Sequence, residues 1–221
     1  MNRLNKRILH LEIPDRMKRL PISDEGYPIP YFVGSVDGKA DFRCADPEKF
    51  VICVRHERCW LCGEPLGVRR TFVLGPMCII NTNTAEPPCH YDCALYSARA
   101  CPFLTMPRMR RNEKDMPEGH SVAGIAIKRN PGVVVLWTTR NYRRRRDPNG
   151  MGLLFDLNGA PERVEFCAEG RTATHDEIMH SMNTGMPILR EMADHDRDPA
   201  AAHAELDQRW DKAMQLVTVK E

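Results

Sequence analysis

Four residues in the first half of the chain have the types and spacing of a metal site. Cys59 and Cys62 enclose two residues, and thiolates at this spacing can bind one ion from a tight turn. Gly63 follows, and a glycine there lets the backbone fold so that its amides approach the sulfurs. His90 and Cys93 are three residues apart, a spacing that places two side chains on one face of a helix.

The second pair of ligands could also include Cys89. This residue lies four positions before Cys93 and could share its helix face in place of His90. The prolines at positions 87 and 88 predict that the helix begins there, because proline is favoured at the first helical position. The helix is predicted to end at Cys101, which precedes another proline.

Residues 59–93 resemble a treble-clef zinc finger. A Cys-x-x-Cys turn, a small hairpin that includes the predicted strand Phe72–Leu74, and ligands on the first turn of a helix follow in the order of that unit. Soft thiolates with one imidazole favour tetrahedral zinc over other metals. The resemblance implies a Zn²⁺ ion with four ligands: Cys59, Cys62, His90 and Cys93.

Three alternatives stay open for these cysteines. An iron–sulfur cluster that added Cys93 and Cys101 to the Cys-x-x-Cys pair would have to span about 12 Å of continuous helix, at 1.5 Å per residue. Cys78, Cys89 and Cys101 could form a second metal site or pack under the helix. All of these thiols could also be core residues, because free cysteine is among the most buried residue types.

Treble-clef units also occur in HNH endonucleases, which carry a general-base histidine on the hairpin. No histidine lies between Cys62 and Cys89, so no catalytic residue can be carried over to this chain. Phosphate-cradling glycine loops and serine-centred elbows are absent from the sequence as well. We therefore expect a protein that is not an enzyme.

Short motifs between residues 37 and 104 carry a second resemblance: Asp37-Gly38 with Asp41-Phe42-Arg43, Cys59-Trp60-Leu61-Cys62-Gly63, Gly75-Pro76-Met77-Cys78, Glu86-Pro87-Pro88-Cys89-His90 and Ala100-Cys101-Pro102-Phe103-Leu104. With these motifs the sequence is similar, over most of its length, to a family of bacterial and bacteriophage proteins without an established activity. The resemblance implies a common fold and supplies no function.

Charge is unevenly distributed along the chain, although the net charge is only +2. Residues 99–146 contain twelve Lys/Arg and three Asp/Glu, a balance of +9. Residues 162–221 contain seven Lys/Arg and thirteen Asp/Glu, a balance of −6. A basic segment of this kind attracts phosphate or an acidic partner.

Arginines are the candidate nucleic-acid contacts. A run of four lies on a predicted loop from Arg143 to Gly152, directly after Tyr142. Arginines can grip phosphate, and an aromatic neighbour can stack on bases. The alternatives are a solubilising hairpin tip, a docking surface for the acidic C-terminal helices, and a contact with an acidic protein partner. The candidate residues are Arg108, Arg110, Arg111, Arg140, Arg143, Arg144, Arg145 and Arg146.

Hydrophobic patterning and turn signals predict an α+β fold. It comprises a treble-clef-like zinc unit in the N-terminal half and a small antiparallel sheet followed by C-terminal helices. Asp37-Gly38 is a strong turn signal between two strands. Further strands are predicted at Phe72–Leu74, Val122–Ile127, Val133–Thr139, Leu153–Leu157 and Arg163–Ala168.

Helix starts are marked by capping residues. Asp46-Pro47 predicts a helix to about Arg58, Thr174-x-x-Glu177 is a capping box, and Asp198-Pro199 begins the last helix. We expect three regions along the chain: a zinc-binding domain at residues 1–104, a linker at 105–120, and the sheet with its helices at 121–221.

Composition indicates a cytoplasmic globular protein. The chain has 221 residues, 42% of them hydrophobic, and no apolar run of about 18 residues that could span a membrane. Charges interrupt the N-terminal stretch, so it lacks the apolar centre of a signal peptide. The odd count of nine cysteines disfavours a disulfide framework.

These observations favour a zinc-stabilised protein that binds DNA, RNA or a nucleic-acid-handling complex through its basic middle. One alternative is a protein-interaction module, such as a phage or host regulator, in which zinc is purely structural. Another is an enzyme that acts on a nucleotide or nucleic acid.

Overall fold

The computed structural model of the chain describes residues 3–107, 109, 132–147, 152–157 and 159–218. It has helices and antiparallel strands with two long C-terminal helices, so the predicted α+β class is confirmed. The predicted strand Val122–Ile127 lies outside the described residues. The strands are β1 (Val33–Val36), β2 (Lys39–Ala45), β3 (Arg70–Leu74), β4 (Asn83–Thr84), β5 (Val134–Thr139), β6 (Arg143–Arg146), β7 (Leu153–Asp156), β8 (Arg163–Ala168) and β9 (Arg171–Thr172).

The helices are mostly short until the C-terminal end of the chain. None of those described is long and apolar enough to cross a membrane. Two 3₁₀ turns, Lys6–Ile8 and Asp15–Met17, precede the first strand. The α-helices are α1 (Pro47–Arg55), α2 (Pro76–Asn81), α3 (Tyr91–Ala100), α4 (Pro102–Thr105), α5 (His175–Asp194) and α6 (Pro199–Thr218).

β1 and β2 form the predicted antiparallel hairpin. Asp37 and Gly38 at its turn have φ angles of +51° and +77°, the left-handed pair that a two-residue hairpin turn requires. The first strand begins at Val33, two residues after Tyr31. The backbone N–H of Tyr31 instead donates to the carbonyl of Leu61 at 2.8 Å, which ties this segment to the Cys-x-x-Cys turn.

α1 begins as the sequence predicts. The carboxylate of Asp46 accepts hydrogen bonds from the backbone N–H groups of Glu48 and Lys49, and Pro47 is the first helical residue. The helix ends at Arg55, slightly before the predicted end.

The main sheet has the strand order β3-β5-β8-β9, with every neighbouring pair antiparallel. β3 lies before the predicted linker and pairs along its whole length with β5, which lies after it. The two halves of the chain therefore share one sheet. The predicted division into domains stays a prediction.

β5 is buried along its whole length because a hydrophobic cluster covers each face of the sheet. Val135 and Trp137 point into a cluster with α2, α5 and α6. Val134 and Leu136 point into a cluster with α3 and the cysteine-rich turn. This alternation follows the two-residue period of a strand. It places the candidate metal residues on one face of the sheet and the C-terminal helices on the other.

A second sheet, in the order β4-β7-β6, contains the arginine run. The prediction that Arg143–Arg146 form a loop is wrong, because these residues pair with β7 over their whole length. Tyr142 leads into the strand and packs its ring 6.0 Å from that of Phe155. The apolar packing of Tyr142 and the hydrogen-bond ladder with β7 therefore form a strand in a segment for which the sequence predicted a loop.

The C-terminal helices begin at the predicted caps. Thr174 and Glu177 form the reciprocal capping box at the start of α5. The carboxylate of Asp198 accepts a hydrogen bond from the N–H of Ala201 at the start of α6. Leu206, Ala213 and Val217 of α6 are buried at intervals of seven and four residues, and Trp210 packs at the edge of the same cluster.

Candidate metal centre

The fold brings together the four residues of the predicted metal site. The sulfur atoms of Cys59, Cys62 and Cys93 and a ring nitrogen of His90 all lie within 4.8 Å of one another, and all four residues are buried. Nδ1 of His90 lies 3.4 Å from Sγ of Cys62 and 4.0 Å from Sγ of Cys93. Such a Cys₃His group could hold a metal ion.

A tight turn positions the first two sulfurs. The N–H of Gly63 donates to the carbonyl of Cys59 at 2.8 Å, and the N–H of Cys62 approaches Sγ of Cys59 at 3.5 Å. Gly63 has a φ of +77°, a conformation that other residues rarely adopt. A Cβ at this position would lie 2.7 Å from Cδ2 of Tyr31, so the turn needs glycine for space as well as for conformation.

Backbone pairing positions the second half of the site. Cys89 exchanges two hydrogen bonds with Thr71 of β3, with N···O distances of 2.7 and 2.9 Å. The N–H of Trp60 donates to the carbonyl of Pro88 at 3.2 Å. The predicted local hairpin is therefore wrong: β3 pairs with β5 on one side and meets Cys89 at a single bridge on the other.

This pairing also moves the start of the helix. α3 begins at Tyr91, not at the prolines 87 and 88, because those residues are held extended beside the turn. His90 is the N-cap residue and Cys93 lies in the first turn of α3. Their side chains still converge on one point, as the spacing of three predicts.

A backbone carbonyl fixes the imidazole ring of His90. Its Nε2 lies 3.0 Å from the carbonyl oxygen of Pro65. A carbonyl can only accept, so Nε2 is the donor in this contact and Nδ1 faces the sulfurs. Binding of an ion would require the neutral ring, in which Nδ1 presents its lone pair. Histidine ligands of metals usually have such a partner on the distal nitrogen.

Burial and hydrogen bonds among the sulfurs and the imidazole shift the pKa values of the cluster. Burial raises the pKa of Cys59, but hydrogen bonds from the side chains of Cys62, Cys89 and Cys93 outweigh it and hold that pKa well below its usual range. Burial lowers the pKa of His90, but hydrogen bonds to Cys59 and Cys62 raise it to about 10. Hydrogen bonds to Cys59 and Cys62, with burial, raise the pKa of Cys93. A buried thiolate that attracts the protons of its neighbours in this way also attracts a cation.

Aromatic and apolar side chains close the site. The ring of Trp60 stacks on Phe32 with centroids 4.8 Å apart and meets the edge of Phe50 at 5.7 Å. Ile8 and Met17 of the N-terminal turns are buried in the same cluster. The first residues of the chain thus cover a centre formed far along it.

The remaining cysteines of this region stay outside the grouping. Within the described residues, Cys59, Cys62, His90 and Cys93 are the one set of three or more His, Cys and acidic residues with this proximity. Cys89 is buried beside Cys59, and burial raises its pKa well above the ordinary value. Cys78 and Cys101 join no second group among the residues that the structure describes, and the grouping there includes His90 and not Cys89.

The structure separates the predicted nucleic-acid residues. Arg140 pairs with Glu162, Arg145 pairs with Asp156 at 2.9 Å, and Arg144 donates to the carbonyl of Val54 at 2.6 Å. The side chains of Arg143 and Arg146 are exposed and make no ion pair with the described part of the chain. Arg108, Arg110 and Arg111 lie outside the described residues.

Two contributors to the centre had no signal in the sequence. Pro65 acts through its backbone oxygen, which every residue type has. Thr71 acts through its backbone pairing with Cys89, while its hydroxyl lies 2.9 Å from that of Thr138 in β5. Neither contact could be found from residue type or spacing.

Comparison of the chain with protein-family models, curated proteins and solved structures gave no match. Inferences about function therefore depend on the geometry of the chain itself.

Proposed function

We propose that the Cys₃His group is a structural zinc site. Three thiolates and one imidazole are a common ligand set of structural zinc. Four protein ligands leave no open coordination position, which a catalytic zinc would need. The 3.0 Å contact between Nε2 of His90 and the carbonyl oxygen of Pro65 is the observation that carries the proposal, because it directs Nδ1 to the sulfurs.

The unit is a variant of a treble clef in this proposal. Its turn at Cys59–Gly63 and its ligand helix α3 have the order of that finger. The single bridge between Thr71 and Cys89 takes the place of the hairpin and encloses α2 and β4. The ion would join the turn to the start of α3 across this insertion.

Elemental analysis of protein purified without added metal tests the proposal. We expect one zinc per chain in the unaltered protein and in Cys78→Ser, whose sulfur lies outside the group. Cys62→Ser should lose both the zinc and the native fold. A metal-free Cys62→Ser protein that folds normally would contradict a structural role, and a different metal in the unaltered protein would contradict the assignment of zinc.

We further propose that the zinc-stabilised fold binds nucleic acid through β6. This edge strand presents the exposed side chains of Arg143 and Arg146, which no described carboxylate neutralises. They extend to opposite faces of the strand, because side chains alternate along it. The segment around them carries the balance of +9, so phosphate would be attracted to this edge.

Salt-dependent binding to labelled single-stranded DNA, duplex DNA and RNA tests this second proposal. The Arg143→Gln/Arg146→Gln variant should bind more weakly, with the slope of log K against log salt smaller by about 1.4 to 1.8, since each phosphate contact contributes roughly 0.7 to 0.9. Arg197→Gln/Lys212→Gln loses the same charge in the acidic C-terminal region and is the matched control. No binding at low ionic strength, or an equal loss in the control, would remove the proposal.

A further inference from the structure

A groove of about 560 Å³ follows one face of α5 beside the indole ring of Trp210 in α6. The α5 positions that line it recur at intervals of three and four, which places them on one side of the helix. From the first to the last of them the helix rises roughly 16 Å. They are Asn183, Met186, Pro187, Arg190, Glu191 and Asp194.

The floor and one wall of the groove are apolar. Met186 is 8% exposed and belongs to the hydrophobic cluster beneath. Trp210 packs against the same cluster and lines the groove together with Pro187. An indole face next to aliphatic groups is a preferred surface for an ammonium or guanidinium group.

The rim of the groove carries uncompensated negative charge. Arg190 is neutralised by Asp207, at an N···O distance of 2.7 Å. The carboxylate of Glu191 makes no ion pair or side-chain hydrogen bond within the described residues. Asp194 contacts Nε2 of His203 at 2.7 Å. Residues 190–211 contain three arginines and seven Asp/Glu, a balance of −4.

Pro187 adds a hydrogen-bond acceptor to this face. A proline has no backbone N–H, so the carbonyl of Asn183, one turn earlier in α5, lacks its usual helical donor. Asn183 lines the same groove. A ligand with N–H donors could therefore bind this carbonyl as well as the two carboxylates.

We propose that this groove docks a basic peptide segment of a partner protein. An arginine or lysine side chain would lie against Trp210 between Glu191 and Asp194, and an apolar neighbour would cover Met186. The elongated shape over three turns of helix suits a peptide, and the carboxylates would repel a phosphate backbone. This inference does not depend on nucleic-acid binding, which we assign to β6.

A peptide of alternating arginine and leucine, labelled with a fluorescent dye, is the probe. Anisotropy with the zinc-loaded full chain should show binding that is absent for the same peptide with glutamate in place of arginine. Glu191→Lys/Asp194→Lys should weaken binding at least tenfold. Glu12→Lys/Glu25→Lys makes the same charge change at exposed N-terminal positions away from the groove and should alter binding less than twofold.

Tryptophan quenching provides a second measurement. Trp60 and Trp137 are 5% and 4% exposed, so quenching by acrylamide should come mainly from Trp210. The peptide should protect this fluorescence in the unaltered chain and in the control variant. The proposal is overturned if the basic peptide does not bind, or if the control variant loses as much binding as Glu191→Lys/Asp194→Lys. It is also overturned if a second copy of this chain occupies the groove. In that case the chain would self-associate, and Arg143→Gln/Arg146→Gln would abolish the self-association.

Discussion

The Nε2 atom of His90 lies 3.0 Å from the carbonyl oxygen of Pro65, while Nδ1 of the same ring lies 3.4 Å from Sγ of Cys62. One ring thus joins the loop after the Cys-x-x-Cys turn to the sulfurs of that turn. The partner on Nε2 is a backbone group, so no side-chain substitution removes it. The orientation of the ring is a property of the loop path.

Replacement of His90 should separate its role as a ligand from its role in the fold. His90→Cys restores a fourth soft ligand, and Cys₄ is itself a common structural zinc set, so we expect one zinc and a native fold. His90→Ala leaves three ligands and should lose most of the zinc. Metal content and thermal unfolding measure both effects, with His56→Ala as the control. Equal zinc content in all three variants would show that His90 is not a ligand.

Removal of the metal should destabilise the chain. A ligand present at a thousand times its dissociation constant stabilises a fold by about 4 kcal/mol, and for a chain of this size that shifts the melting temperature by roughly 8 to 16 °C. We expect a decrease of this order after chelation, and faster reaction of Cys59 and Cys62 with a thiol reagent. Zinc should restore both properties and magnesium should restore neither. An unchanged melting temperature in excess chelator contradicts a structural ion.

Gly63→Ala should destabilise the chain by more than about 1 kcal/mol, because alanine is strained at positive φ. Gly38→Ala is a matched control: both glycines have a φ of +77°, but a Cβ at Gly38 meets nothing within 4 Å. The difference between the two variants therefore measures the collision with Tyr31. Urea unfolding provides the values. Equal free energies of unfolding for the two variants would mean that the turn moves away from Tyr31.

The capping box of α5 should contribute stability that depends on pH. Arg171, with hydrogen bonds at Thr174, lowers the pKa of Glu177 to about 2 from an ordinary 4.5. A lowered carboxyl pKa adds stability that is complete above pH 4.5 and is lost as the pH falls toward 2. The unaltered chain should therefore exceed Glu177→Gln in stability at pH 6, and the difference should vanish near pH 2. Both proteins keep the same metal residues, so acid release of an ion affects them equally. A difference that is constant with pH would rule out the charge as its source.

Local signals in the sequence predicted those parts of the fold that adjacent residues determine. The Asp37-Gly38 turn, the Asp46 cap and the Thr174 capping box depend on groups only a few residues apart, and all lie where expected. The cysteine and histidine spacing of the metal group was similarly informative. The types and spacing of the candidate ligands follow from the coordination chemistry of an ion. They could therefore be recognised without knowledge of how the chain runs between the two pairs.

Long-range pairing could not be predicted from these signals. β3 was expected to pair locally, but its partners are β5 and Cys89. The arginines of β6 look unsuited to a strand, and the ladder with β7 and the packing of Tyr142 override that preference. Pairing of this kind depends on which surfaces meet in three dimensions, and the sequence near each strand carries little of that information.

The position of β3 has a consequence for the order in which this chain folds on the ribosome. All four candidate metal ligands precede β5, which begins 41 residues after Cys93. At synthesis rates of about 5 to 20 residues per second, the ligands emerge roughly 2 to 8 s before that strand. An ion captured in this interval would hold the N-terminal half in place, with β3 as a ready template to which the later strand adds.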